Sequence, residues 1–138
     1  MTNIVNALVV EDYKLIADAW GKLLRDTNIF NTVKVLYSAD NLTEYIEDLK
    51  PELIFMDINL PGSQNGIEIT KTITESYPWI KIMILSIHNE PVMVRRAIEN
   101  GAKGYITKNA PMKEMQLGVE KVMNGEKYLC EEIRHYFD

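Results

Sequence analysis

The stretch "LIFMDINLPG", Leu53 to Gly62, decides how the chain is read. Four apolar residues, Leu53 to Met56, carry the chain without interruption into Asp57. Asn59 follows two residues later, then a turn at Pro61 and Gly62. A continuous apolar run bounded by turn residues is the signature of a strand buried on both faces, which belongs to a parallel sheet. Such a strand that ends in an ionisable carboxylate needs a reason for it.

Working outward, the same kind of segment recurs. "IVNALVV", Ile4 to Val10, is continuous and β-branched. "IKIMILS", Ile80 to Ser86, is similar, and "GYITK", Gly104 to Lys108, is a shorter fifth strand. "TVKVLYS", Thr32 to Ser38, alternates instead, as expected of a more exposed strand near an edge. Helical patterns lie between them. The first puts Ile16, Trp20, Leu23 and Leu24 on one face. The others are Asn41 to Leu49, Ile67 to Tyr77, Val92 to Asn100 after Pro91, and Pro111 to Asn124, closed by Gly125. In the last, Met112, Met115, Val119 and Val122 form the apolar stripe, with Leu117 off it. Five strand–helix units in a row predict a parallel sheet with helices on both faces.

Composition narrows the functional classes. The chain has 138 residues, 46% hydrophobic and 25% charged, which fits one globular domain. Acidic residues outnumber basic ones 20 to 15, giving a net charge of −5. That argues against a nucleic-acid-binding module, which would be basic. Cys130 is the only cysteine, so no intrachain disulfide can form and a reducing compartment fits. The N-terminal apolar run is too short for a signal peptide or a membrane span, so a soluble cytoplasmic domain with no membrane partner is expected. No internal repeat or low-complexity linker interrupts it.

In open parallel sheets, ligands bind at the carboxyl ends of the strands. The first strand ends in Glu11 and Asp12, the third in Asp57, the fourth in Ser86 and the fifth in Lys108. Singly, Asp12 reads as a helix N-cap, Ser86 as another cap and Lys108 as a surface lysine. Their joint placement at one sheet edge is what the bland readings do not predict. Two carboxylates about 4 Å apart repel by roughly 4 kcal/mol at an effective dielectric of about 20. A pocket that keeps three ionised therefore wants a cation, and all-oxygen ligands favour Mg²⁺. A carboxylate left beside that ion is a nucleophile for a phosphoryl group, which a lysine and a hydroxyl would neutralise and bind.

These residues resemble the receiver domain of two-component response regulators. The match lies in Glu11–Asp12, "DINLPG" with Asp57, "LSIH" with Ser86, and "GAKGYITK" with Tyr105 and Lys108, and it covers the chain up to about Leu129. "LPG", "LSIH", "GAKGYITKNA" and "GEKYL" are similar to the NarL/FixJ (LuxR-like) subgroup, whose members end in a helix-turn-helix. The resemblance implies a flavodoxin-like five-stranded sheet of order 2-1-3-4-5. It implies that Asp57 accepts a phosphoryl group from a sensor histidine kinase or phosphotransfer protein, without turnover as an enzyme. Asp12 and Asp57 would bind Mg²⁺, with Glu11 on its waters and the backbone carbonyl of Asn59 completing the set. Lys108 would pair with the phosphoryl group. Ser86 would bond to it and Tyr105 would turn inward as the switch. Asn59 and His88, at the pocket mouth, would govern water's approach. Without the resemblance, Tyr105 reads as a half-buried aromatic on an edge strand.

The sequence departs from the family in three places. Glu11 stands where Asp is commoner. "GSQNG", Gly62 to Gly66, is one residue longer than usual, so the loop should bulge. Asn109 follows the lysine where many receivers carry a proline, and a cis bond there would cost about 3 kcal/mol. The resemblance places the receiver at residues 1–128. Residues 129–138 would be a tail or the start of a linker helix, where the subgroup's output domain begins. The chain would then be a stand-alone receiver or an excised domain. DNA binding, and a homodimer formed on phosphorylation, would belong to the longer protein.

Other classes compete. A haloacid-dehalogenase-type Mg²⁺-dependent phosphatase also uses an Asp nucleophile but needs a second Asp two residues on, where Asn59 stands. A nucleotide-binding fold should show a glycine-rich loop after the first strand, and "VVEDYKL" has none. A phosphorylation-independent interaction module would have lost Asp57 or Lys108. His88 and His135 have no metal-ligand spacing.

Overall fold

The computed structural model describes residues 4–62 and 64–137. Six parallel strands form one sheet in the order β2-β1-β3-β4-β5-β6. They are β1 (Asn6–Val10), β2 (Thr32–Leu36), β3 (Leu53–Asp57), β4 (Lys81–Ser86), β5 (Gly104–Thr107) and β6 (Tyr128–Leu129). Between them run α1 (Lys14–Asp26), α2 (Leu42–Leu49), α3 (Gly66–Ser76), α4 (Pro91–Glu99) and α5 (Met112–Met123), and α6 (Glu131–Arg134) follows β6. A 3-10 turn, His135–Phe137, comes last.

The central strands are buried because nothing in them tolerates water: Ala7–Val10, Leu53–Met56 and Ile82–Leu85 are all fully covered. β2 alternates between buried and exposed, as an edge strand should. α1 packs beside α5, and α3 beside α4. Trp20 on α1 meets Phe55 of β3 edge to face, with ring centroids 6.2 Å apart. α2 joins the α3 side, where the Tyr77 hydroxyl donates to Glu47.

The sheet corrects the sequence reading at its far edge. Five strands were expected, and β6 is a sixth, with Tyr128 and Leu129 in register with Gly104 and Tyr105. β5 is therefore not the edge, and Tyr105 is fully buried rather than half-buried. The residues after β6 pack back onto the domain, with Cys130 and Ile133 in the core. Two smaller corrections concern helix and strand ends. Met112 is exposed, because the first residue of α5 overhangs the sheet that Met115, Val119 and Val122 cover. β1 begins at Asn6, whose side chain accepts from the Thr32 amide and donates to the Leu49 carbonyl, pinning the strand's start.

The loop from β3 to α3 positions the site. Gly62, at φ +117°, takes a conformation that favours glycine. Ser63, where the extra loop residue was expected to bulge, lies outside the described residues. Asn65 then caps α3: it accepts from the Ile67 and Glu68 amides, and Glu68 accepts from the Asn65 amide. This box brings Gly66 against the end of β3, where an added Cβ would lie 2.0 Å from the Asp57 carbonyl oxygen. Gly66→Ala must push backbone from backbone, so it should destabilise the fold by about 2 kcal/mol or more. Urea unfolding followed by Trp fluorescence reads this, and a wild-type midpoint would contradict the close approach.

Candidate functional site

Parallel strands bring their carboxyl ends to one edge, and the strand order reverses between β1 and β3. Glu11 and Asp12 follow β1, Asp57 ends β3, Ser86 ends β4 and Lys108 follows β5. Glu11, Asp12, Asp57 and Lys108 meet around that crevice, and Ser86 ends the next strand over. Glu11, Asp12 and Asp57 each offer an oxygen within 4.8 Å of the others.

The burial of these groups differs, and so does their chemistry. Glu11 is fully buried and accepts a hydrogen bond from Lys108 Nζ at 2.7 Å. Its other oxygen accepts from the Tyr13 amide at 3.3 Å. Asp57 is also buried, and Lys108 Nζ stands 3.2 Å from its Oδ1. That contact is an ion pair without hydrogen-bond geometry, and Asp57 Oδ1 has no hydrogen-bond partner. Buried carboxylate oxygens are ordinarily satisfied, so an open one is a place for a ligand. Asp12 is exposed, and its pKa is raised by partial desolvation and by the Glu11 carboxylate beside it.

Among the described residues, Lys108 is the one cation in reach of both buried carboxylates. Burial pulls its pKa down, but the Glu11 hydrogen bond and the charges of Asp57 and Glu11 outweigh this, and the net shift is upward. Its Nζ also lies 5.6 Å from the centre of the Trp20 ring, a cation–π contact that the sequence did not signal. Asn109, after Lys108, sits in a chain whose described residues contain no cis peptide bond.

The switch and mouth residues connect to one another. Ser86 Oγ accepts from the His88 amide at 3.0 Å. The Tyr105 hydroxyl donates to the His88 carbonyl at 2.8 Å, and burial pushes its pKa up to about 12. Across the mouth, the Asn59 amide group meets His88 Nε2 at 3.3–3.4 Å. The His88 ring also stands 3.6 Å from Glu90.

Residues 7–120 match the family described as the response regulator receiver domain, so the chain belongs to that family. It is 29% identical over 133 residues to the transcriptional regulatory protein DegU of Brevibacillus brevis, covering 96% of this chain and 56% of DegU. It is 29% identical over 129 residues to the response regulator GacA of Pseudomonas aeruginosa, covering 94% and 60%. The chain thus spans little more than half the length of these relatives. The isolated receiver domain of RcsB from Salmonella enterica serovar Typhimurium, solved with phosphomimetic BeF3−, shares the fold at a TM-score of 0.89. The two are 19% identical over 99% of this chain and 100% of that one. By name, DegU is a transcriptional regulatory protein and GacA a response regulator. The protein is a signalling domain, a receiver of a response regulator.

Removing Lys108 leaves two buried carboxylates without their cation. Lys108→Met should therefore cost roughly 3 kcal/mol of stability. Millimolar Mg²⁺ should narrow the gap to wild type by supplying the missing charge. Urea midpoints with and without Mg²⁺ test both parts, and an unshifted midpoint would refute the pairing.

Proposed function

We propose that this receiver accepts a phosphoryl group on Asp57 from the phosphohistidine of a sensor histidine kinase or phosphotransfer protein. The observation that carries this is the Asp57 carboxylate itself. It is buried at the sheet's reversal point, has an oxygen without a hydrogen-bond partner, and faces a lysine at 3.2 Å. An Asp57 oxygen attacks phosphorus, the phosphorus–nitrogen bond breaks, and the imidazole nitrogen leaves with its electron pair and takes a proton. Lys108 stays protonated and stands against the phosphoryl oxygens. The Ser86 hydroxyl, now an acceptor from the His88 amide, turns to donate to another.

The acidic cluster fits a hard divalent cation, since Glu11, Asp12 and Asp57 give an all-oxygen set beside Lys108. Asp12, Asp57 and the Asn59 carbonyl would hold Mg²⁺, with Glu11 on its waters. Bound there, Mg²⁺ supplies positive charge against the phosphoryl oxygens. Glu11 is less free for this than its sequence position suggests, because it already holds Lys108 at 2.7 Å. The chain's own chemistry then ends in slow loss of the group. Water attacks phosphorus, the bond to Asp57 breaks, and phosphate leaves.

In a longer protein, the family and the transcriptional role of the relative DegU support control of transcription. DNA contact would come through a C-terminal helix-turn-helix, with a homodimer formed on phosphorylation and the whole in the cytoplasm. Within this chain, no described helix is long and apolar enough to cross a membrane. Residues 1–128 form the receiver in this reading, and 129–138 lead toward the output domain.

Incubation with Mg²⁺ and acetyl phosphate should add one phosphoryl group by intact mass. The gain should vanish with EDTA and in Asp57→Asn. An unchanged mass for the wild type would overturn the reading. Once loaded, the protein should keep its phosphoryl group several-fold longer as Asn59→Met, because the thioether crowds the mouth where Asn59 now meets His88. Decay of the loaded mass after donor removal measures this, and equal decay would leave Asn59 without a side-chain role.

A further inference from the structure

The geometry points to a C-terminal clasp: residues 128–134 hold the loop after β4 to the loop after β5, and phosphorylation opens it. The inference rests on the reading of Asp57 as the phosphoacceptor. It concerns the surface on which the state of that residue appears.

The clasp has a buried half and an exposed half. Its buried half is β6 and the residues just after it. The Cys130 amide donates to the Tyr105 carbonyl at 3.1 Å, and the Thr107 amide donates to Cys130 Sγ at 3.4 Å. Ile133 is fully buried. The exposed half is polar. Asn89, in the loop after β4, donates to Glu132 at 3.3 Å. Ile87, Asn89, Lys108, Asn109 and Glu132 line one cleft, so a carboxylate of the tail stands between the loop after β4 and the loop after β5. The polar groups of Thr107, Asn89 and Asn109 hold the Glu132 pKa below its ordinary value, which fits that position. Further out, the Arg95 guanidinium of α4 lies 5.9 Å from the centre of the Phe137 ring.

This arrangement changes what a switch can do here. Tyr105 is already inside, fully covered, with its hydroxyl on the His88 carbonyl and β6 along its strand. In this structure the inward position is already taken. What can move is the loop from Ile87 to Glu90. Its His88 amide is held by Ser86 Oγ, and a Ser86 hydroxyl that turns to a phosphoryl oxygen gives that amide up. Asn89 moves with His88 and leaves Glu132. On the other side Lys108, drawn from Glu11 toward the new dianion, pulls on Thr107 and Asn109. The Asn89 anchor of Glu132, and the Lys108–Asn109 wall of its cleft, thus lie on chain segments that phosphorylation displaces.

Cys130 gives a direct reading, because it is the only cysteine and is fully buried. A buried thiol is alkylated only through local opening, so its rate with iodoacetamide tracks how often the clasp opens. In the wild-type chain with Mg²⁺ and acetyl phosphate, Cys130 should be alkylated about threefold faster than without donor, as expected for loss of a weak solvent-side contact. Asp57→Asn should show no acceleration. Without donor, Glu132→Gln should alkylate faster than wild type, since it weakens the clasp and touches nothing that binds the phosphoryl group. A phosphoryl gain by mass with an unchanged Cys130 rate overturns the clasp and leaves the phosphoacceptor reading standing. No phosphoryl gain overturns both. A Glu132→Gln chain that alkylates at the wild-type rate removes Glu132 from the clasp and overturns the proposal as drawn.

Discussion

One lysine shared between two buried carboxylates is the constraint on which the site depends. Lys108 bonds to Glu11 at 2.7 Å and stands 3.2 Å from Asp57. Buried charges need partners, and here two anions divide a single cation unequally. Glu11 takes the hydrogen bond, and Asp57 keeps an oxygen without one. That imbalance leaves Asp57 able to take a further partner. A second lysine would satisfy Asp57 and quench it.

The sheet makes this imbalance possible. Asp57 is buried because β3 lies between β1 and β4 with apolar residues on both faces. It is reachable because the strand stops there and the chain leaves through Asn59, Pro61 and Gly62. The capping box at Asn65 and the close approach of Gly66 to the Asp57 carbonyl then return the chain into α3 without covering the crevice. Each device is local and short. Together they hold a carboxylate at the boundary between core and solvent, where it is desolvated yet open.

This division also explains what the sequence made legible. Central strands stood out because burial on both faces demands unbroken apolar runs, and Leu53–Met56 and Ile82–Leu85 supply them. The site residues were legible as a set, since each follows a strand and parallel strands end on one side. Their pairing was not. Glu11 and Lys108 are 97 positions apart, and no local pattern says which carboxylate takes the lysine. Nor did any periodicity mark the Trp20 ring as the lysine's other neighbour. β6 was missed for a similar reason. Two residues, Tyr128 and Leu129, are too few to show a period, and only their place beside β5 makes them a strand. Tyr105 was misjudged as a consequence, because an edge strand exposes what an internal strand covers.

The burial of Tyr105 carries a further consequence for how motion can spread. A buried phenol needs an acceptor, and this one uses the His88 carbonyl while Ser86 holds the amide of the same residue. His88 is thus gripped from β4 and from β5 at once. Its loop cannot shift without disturbing a bond at the site or a bond in the core. Core bonds are costly to break because no water replaces them. Those at the surface are not. The contacts of Asn89 with Glu132, of His88 with Glu90 and of Arg95 with Phe137 are solvent-side and individually weak. A change at Asp57 therefore passes along the buried bonds intact and is released where the bonds are weak. In this fold that place is the seam between the loop after β4 and the C-terminal segment.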